Sequence, residues 1–278
     1  MRLGKTIQKV WATLFAAGLS FSTQTVGAPV YQEGVHLVVE LKEGCLLGGV
    51  QDHKWVNAGR LARKVKSGQK FDLFQLGGPA GEVSVKKLGE SDCPSETSVE
   101  TSSKEEFGVA VGSPSWNVMP RTPRPIDIKD TTYLNVLSDI LKRSGMRSPD
   151  VHISEGYKVD LDGDGKDEVV IIASRFAKGV SELTGVSHGT SSGDYAIVLV
   201  RKIVNEKVQN IFLIKDIRTN ENEGPLTRGY HISAIADLNG DGVMEIVLYG
   251  AYHEGSSSDV IQIKGTKSVA VLSCACEH

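Results

Sequence analysis

The sequence predicts a mainly β protein with a small α+β domain in its N-terminal part, and three observations lead to that fold class. Short runs rich in β-branched and aromatic residues recur along the 278-residue chain. The chain has 30 glycines among 278 residues, a larger share than the roughly 7% that is usual in proteins, which indicates many turns. Only residues 131–144 carry apolar side chains at helical spacing over several turns.

Residues 1–28 have the pattern of a secretory signal peptide. Three basic residues precede an apolar run over residues 10–21, and small residues follow up to Ala28, after which we expect cleavage. The apolar run is too short to cross a hydrocarbon core of about 30 Å, which takes roughly 20 residues. We therefore expect a secreted or periplasmic mature chain without a membrane span.

Residues 29–90 are predicted to form the small α+β domain. Apolar spacing assigns three strands and a short amphipathic helix, which cover residues 35–41, 71–76 and 82–88 (strands) and 58–66 (helix). Residues 91–129 are predicted to be an exposed, partly extended linker, because they are rich in Ser, Thr and Glu and four of the nine prolines lie between residues 114 and 125. Trp116 interrupts this composition, and we expect it to dock on a domain.

Residues 130–278 are predicted to fold as one helix followed by two β repeats. The helix, over residues 131–144, has one apolar face, which we expect to lie against a sheet. Each repeat is a four-stranded meander of the size of a propeller blade. The predicted strands cover residues 152–160, 168–174, 195–201 and 208–216 in the first copy, and 230–237, 245–252, 260–264 and 268–273 in the second. Two blades cannot close a propeller, so we expect them either to pack with the helix and the N-terminal domain or to pair across a homodimer.

An acidic turn lies between the first two strands of each repeat. We name residues 160–168, DLDGDGKDE, the first turn, and residues 237–245, DLNGDGVME, the second turn. Oxygen-bearing side chains stand at positions 1, 3, 5 and 9, and the glycine at position 6 permits a sharp bend. Hard oxygen ligands without His or Cys favour Ca²⁺ over zinc or copper, and a main-chain carbonyl at position 7 would add a ligand. The predicted ligands of two Ca²⁺ sites are Asp160, Asp162, Asp164, Lys166 and Glu168 in the first turn, and Asp237, Asn239, Asp241, Val243 and Glu245 in the second.

The EF-hand shares the opening of these turns but is excluded. An EF-hand needs a bidentate Glu at position 12 and flanking helices. Position 12 is Ile171 in the first turn and Leu248 in the second, within runs whose β-branched residues favour a strand. The turns could also be ordinary acidic hairpin turns, but several inward-pointing carboxylates would then repel one another. By charge count, we expect the first turn to bind calcium more tightly than the second, which has Asn239 in place of an Asp.

The two turns, each followed by a hydrophobic strand, resemble the FG-GAP/VCBS repeats of integrin α-subunit propellers and of many exported bacterial proteins. The resemblance covers about residues 150–276. It implies that each turn binds Ca²⁺ between the first two strands of a blade and that the domain serves adhesion or ligand binding. The chain differs from that family in having two clear loops, a longer spacing between them and no preceding Phe-Gly opening.

The four cysteines, Cys45, Cys93, Cys274 and Cys276, are an even set that an oxidising compartment would pair. Three pairings can be drawn. One of them joins Cys45 to Cys93 within the N-terminal part and leaves the other two as a tight ring. A soft-metal or redox site at the C-terminal tail, with His278, is the alternative to a plain disulfide, which the compartment favours.

Two functions remain open. None of the seven histidines has metalloprotease spacing, and the chain lacks a phosphate-binding loop. A net charge of −3 without a basic block argues against nucleic-acid binding. We prefer a non-enzymatic, Ca²⁺-stabilised module that recognises a ligand, glycan or protein outside the cytoplasm. The alternative is an exported hydrolase that uses a loop rim around His188 and His253.

Overall fold

Three antiparallel β-sheets make up most of the described chain, so the prediction of a mainly β protein is confirmed. The computed structural model describes residues 34–90, 97–176, 192–220, 228–252 and 255–277. The predicted signal peptide, residues 1–28, lies outside this part of the chain. Among the helices that are described, none is long and apolar enough to cross a membrane.

The first sheet closes on itself, and we call it the closed sheet. Its strands are β1 (Val35–Glu40), β2 (Cys45–Gln51), β3 (Lys54–Asn57), β4 (Lys70–Gln75), β5 (Gly78–Glu90), β6 (Thr97–Thr101) and β7 (Val109–Val111). The strands follow the order β1-β7-β4-β5-β6-β2-β3, and β1 pairs with β2 as well, which closes a ring of six strands and leaves β3 at the edge of β2. Closure removes the unpaired edges that an open sheet would present.

Apolar side chains fill the inside of the closed sheet, among them Leu37, Leu46, Phe71 and Val99. A short helix, α1 (Ala58–Leu61), continues into a 3₁₀ turn (Ala62–Lys64) and adds Leu61 to this core. The helix predicted over residues 58–66 therefore exists but is only one turn of α-helix long. Strands β6 and β7 come from the segment that the sequence predicts as a linker.

Two open sheets follow, each a meander of consecutive strands. The second sheet has the order β12-β11-β10-β9-β8, and the third has the order β13-β14-β15-β16. The strands of the second sheet are β8 (Arg124–Pro125), β9 (Ile153–Val159), β10 (Glu168–Arg175), β11 (Tyr195–Val204) and β12 (Lys207–Ile217). Those of the third are β13 (Gly229–Ala236), β14 (Glu245–Tyr252), β15 (Gly255–Lys264) and β16 (Lys267–Glu277).

A longer helix, α2 (Thr131–Arg143), lies between β8 and β9 along the chain. Asp130 caps its first turn by accepting a hydrogen bond of 2.7 Å from the backbone N–H of Thr132. The apolar face of α2 packs on the second sheet through Leu137 and Leu141. The prediction that this helix lies against a sheet is therefore confirmed.

The elements pack as four layers, in the order α2, second sheet, third sheet, closed sheet. Each boundary between layers is an apolar cluster that takes side chains from both neighbours. Both faces of each open sheet are therefore covered, which explains the nearly continuous apolar runs in β10 and β14. The clusters include Leu137 and Ile171 at the first boundary, Val198 and Ile246 at the second, and Leu47 and Val247 at the third.

A disulfide joins the closed sheet to the third sheet. It pairs Cys45 in β2 with Cys274 in β16, which are 229 residues apart. The pairing of Cys45 with Cys93 is therefore wrong. A ring between Cys274 and Cys276 is wrong as well, because Cys274 is bonded to Cys45; Cys276 is also disulfide-bonded. The tail is not the soft-metal or redox site that the sequence left as an alternative. The reason is that β16 runs on to Glu277, and an extended strand holds alternate side chains apart while pointing them to the same face.

One carboxyl group is buried at the end of β1. Glu40 is 0% exposed, and its carboxylate accepts hydrogen bonds from the backbone N–H groups of Lys42 at 2.7 Å and Glu43 at 3.0 Å. Burial raises the pKa of Glu40 from 4.5 to about 7, although both hydrogen bonds act in the opposite direction. The folded protein therefore holds a proton here at mildly acidic pH.

We expect Glu40→Gln to flatten the pH dependence of stability. Because the pKa of Glu40 is raised on folding, its contribution is largest below pH 4.5 and is lost as the pH rises through about 7. The difference between these two pKa values corresponds to about 3 kcal/mol. Between pH 4.5 and pH 8, the free energy of unfolding measured in urea should fall by about that much more in the wild type than in the variant. Equal losses in both proteins would contradict this assignment.

We expect the double variant Cys45→Ala, Cys274→Ala to be less stable by about 2–5 kcal/mol, because the disulfide closes a long loop in the unfolded chain. The measurement is urea unfolding in non-reducing buffer. A variant as stable as the wild type would contradict this contribution of the disulfide.

Candidate metal centre

The two acidic turns lie side by side. The first turn connects β9 to β10, and the second connects β13 to β14. They touch directly, because the backbone N–H of Met244 donates a hydrogen bond of 2.7 Å to the carbonyl oxygen of Leu161. Adjacent layers of the protein thus bring together two segments that are far apart in the sequence.

The aspartate at position 1 closes both turns with the same three hydrogen bonds. The carboxylate of Asp160 accepts from the backbone N–H groups at positions 4, 5 and 6, at 2.7, 3.1 and 3.0 Å. Asp237 accepts from the same three positions at 2.7, 3.2 and 2.9 Å. The glycines at positions 4 and 6 have positive φ angles between 74° and 86° in both turns. Both glycines are therefore required by the backbone, whereas the sequence singled out only the second of them.

The acidic residues at positions 5 and 9 also repeat their contacts. Asp164 and Asp241 accept from the backbone N–H groups of Lys166 and Val243, at 2.8 and 2.9 Å. The glutamate at position 9 reaches back across each turn to the backbone N–H at position 2, at 2.8 Å in the first turn and 2.9 Å in the second. Five equivalent hydrogen bonds thus give the two turns one shape.

The position 9 glutamates are almost fully buried, at 1% exposure for Glu168 and 0% for Glu245. A carboxylate removed from water needs a counter-charge, a proton or several hydrogen bonds. The two turns meet this need in different ways, and the difference comes from the strand that lies next to each glutamate.

A lysine from the neighbouring strand supplies a positive charge to the first turn. Lys202 lies on β11, is 8% exposed, and donates hydrogen bonds to Asp162 and, at 3.3 Å, to Glu168. Burial lowers the pKa of Lys202, but the bond to Asp162 and the charges of both carboxylates outweigh burial and raise it. Burial also raises the pKa of Glu168, against the opposing effects of the Leu161 N–H and of Lys202.

A neutral glutamine takes the corresponding place in the second turn. The Gln262 side chain on β15 donates its Nε2 hydrogens to Asp241 at 3.2 Å and to Glu245 at 3.1 Å. Asn239 also donates to Asp241, at 2.9 Å. Within the described chain no Lys, Arg or His forms an ion pair with the carboxylates of this turn.

The second turn therefore carries uncompensated acidic charge. Burial raises the pKa of Glu245 to about 9, with the charges of Asp241 and Asp237 adding to the effect and the Leu238 N–H opposing it. Burial likewise raises the pKa of Asp237. Either protons or an external cation would relieve this charge.

The segment 113–125, which we call the strap, lies across both turns. Trp116 donates from its indole N–H to the carbonyl oxygen of Asp237 at 2.7 Å, so the expectation that this residue docks on a domain is confirmed. Its ring covers Gly240 so closely that a Cβ there would stand 2.9 Å from the ring. Arg121 donates to the carbonyl oxygens of Asp160 and Leu161 in the first turn and of Gly242 in the second.

The donor chemistry of the turns fits a hard cation. Asp160, Asp162 and Glu168 each bring one carboxylate oxygen to within 4.8 Å of the others. Asp164 does not belong to this group, because its carboxylate faces the backbone at position 7. An all-oxygen set suits calcium or magnesium, but in the first turn an ammonium already contacts two of the three carboxylates.

Sequence reasoning missed the side chains that touch the turns from outside: Lys202, Gln262 and Arg121. Two of them could have been found from the sequence, because each stands at an alternate position of a buried strand face. Lys202 follows Val198 and Val200, and Gln262 follows Val260. The predicted rim residues His188 and His253, and also His278, lie outside the described part of the chain.

We expect Arg121→Ala to lower the free energy of unfolding by roughly 1–3 kcal/mol, because it removes hydrogen bonds from a charged donor to three carbonyl groups. Arg124→Ala is the matched control. Arg124 pairs with Asp167 at 2.8 Å while its side chain is 66% exposed, so we expect its loss to cost less than about 1 kcal/mol. Both variants are compared with the wild type by urea unfolding in chelator, and equal effects would contradict the bridging role of Arg121.

Comparison with protein-family models, with curated proteins and with solved structures finds no significant match to this chain.

Proposed function

We propose that this protein is an exported, non-enzymatic, calcium-binding β-repeat protein that serves as a recognition or adhesion module for an extracytoplasmic ligand, glycan or protein. The observation that carries the proposal is the shared shape of the two turns, in which the same five hydrogen bonds hold acidic oxygens at the same positions. On this proposal the second and third sheets are blade-like repeats of the FG-GAP/VCBS type.

Charge supports the choice of a divalent cation. The second turn holds Asp237, Asp241 and Glu245 together, and the described side chains that reach them are neutral amides. Calcium accepts six to eight oxygen ligands in a flexible geometry, which suits a loop that mixes carboxylates, amide oxygens and carbonyl groups. Binding would remove the repulsion among the carboxylates and so link folding to the calcium concentration outside the cell.

The disulfide and the described histidines fit export and a binding role. Disulfides persist in oxidising compartments, and the pair Cys45–Cys274 connects two layers of the fold. His36, His53 and His231 each hold distant parts of the chain together, through the carbonyl oxygens of Gly112 and Asn239 and the carboxylate of Glu155. These three histidines thus have structural contacts that account for their positions.

Calcium titration of the oxidised protein, followed by calorimetry and by thermal unfolding, tests the proposal. We expect calcium to bind and to raise stability by about 2.7 kcal/mol when free calcium is 100 times Kd. Asp241→Ala should abolish this gain, because it removes a carboxylate from the second turn. Asp72→Ala, an exposed aspartate of β4 in the closed sheet, is the matched control and should keep the gain.

Two outcomes would contradict the proposal. One is a wild-type protein that takes up no calcium at millimolar concentration. The other is an Asp241→Ala variant whose stability still responds to calcium as the wild type does, which would place the binding site elsewhere.

A further inference from the structure

We propose that the ammonium of Lys202 takes the place of a bound cation in the first turn and neutralises its carboxylates. Calcium is consequently bound by the second turn. The role of Lys202 follows from its contacts alone, whereas the assignment of calcium to the second turn rests on the proposed function. The proposal reverses the order of affinity that the number of carboxylates predicts.

Strand register places Lys202 and Gln262 at equivalent positions. Val169 in β10 pairs with Arg201 in β11, so the preceding residue Glu168 stands opposite Lys202. In the third sheet Ile246 pairs with Ile261, so Glu245 stands opposite Gln262. In both sheets the strand that follows the glutamate's own strand therefore presents one side chain to the position 9 glutamate.

The nitrogen atoms of these two side chains occupy corresponding places. The ammonium of Lys202 contacts Asp162 and Glu168, at positions 3 and 9 of the first turn. The amide nitrogen of Gln262 contacts Asp241 and Glu245, at positions 5 and 9 of the second turn. Both nitrogens lie between the buried glutamate and a second carboxylate, but only that of Lys202 carries a charge.

A divalent ion and the ammonium of Lys202 would compete for the same oxygens. Lys202 is 8% exposed, and its described hydrogen bonds are to Asp162 and Glu168. An ion entering the first turn would have to displace this ammonium and leave a buried positive charge beside a second one, which is strongly unfavourable. Arg121 contacts the carbonyl groups of both turns and so does not account for a difference between them.

The second turn has a ligand in place of a competitor. Gln262 is 4% exposed, and its Oε1 is a buried oxygen with no hydrogen-bond partner among the described residues. A buried, unpartnered acceptor is unfavourable unless a donor or a cation meets it. Rotation of the terminal amide exchanges its oxygen and nitrogen, so the same side chain can face the carboxylates with an oxygen once a cation lies between them.

Reciprocal substitution tests the proposal. Lys202→Gln gives the first turn the glutamine of the second, and Gln262→Lys gives the second turn the lysine of the first. With calcium chloride as the probe, we expect the wild type to bind one equivalent in calorimetry, Lys202→Gln to bind two, and Gln262→Lys to bind at least tenfold more weakly than the wild type. In thermal unfolding, Lys202→Gln should be less stable than the wild type in chelator and should recover with calcium.

Lys202→Arg is the control that keeps the charge, and we expect it to bind calcium with the wild-type stoichiometry. If Lys202→Gln does not fold in chelator, Gln262→Lys decides the question, because an unchanged calcium affinity in that folded variant would overturn the proposal. A wild type that binds two equivalents, with no change in Lys202→Gln, would also overturn it.

The failure of the proposed function gives a different result from the failure of this inference. A wild type without calcium binding would contradict the proposed function, but a gain of one equivalent in Lys202→Gln would still support the role of Lys202. If neither protein binds calcium, both proposals are wrong.

Discussion

The interaction on which the rest of the site depends is the bond from a buried glutamate back to the start of its own turn. Glu168 and Glu245 begin β10 and β14, and each accepts the backbone N–H at position 2 of its turn. This bond closes the turn and also places a carboxylate among apolar layers, where it must be compensated. The neighbouring strand determines the form of that compensation, through Lys202 in the second sheet and Gln262 in the third.

Burial of the two position 9 glutamates follows from the way in which the layers stack. Each open sheet is apolar on both faces, so it needs a neighbour on each side. The helix α2 covers one end of the stack and the closed sheet covers the other. The two open sheets are therefore covered by neighbouring layers without closing a propeller ring, and the two turns become neighbours because their sheets are adjacent layers.

The disulfide connects these layers covalently, and the strap connects them through polar contacts. Arg121 reaches carbonyl groups of both turns, and Trp116 closes over the second turn. The Cys45–Cys274 bond joins the closed sheet to the last strand of the chain. The composition of the strap, rich in proline, predicts extended backbone, but its contacts depend on the surfaces that it crosses.

The sequence by itself determined the mainly β class, the helix that begins at residue 131, the strands β9 to β16 and the two acidic turns, because each arises from a pattern among residues that are close along the chain. It did not give β8, which lies in the segment predicted as a linker. Only the tertiary structure decided the partner of Cys45, which is 229 residues away, and the partners of the turn carboxylates. Lys202 lies 34 residues from Glu168 and reaches it through strand register. A pattern of alternating side chains shows that such a residue faces inward, but it does not show which charge the residue meets there.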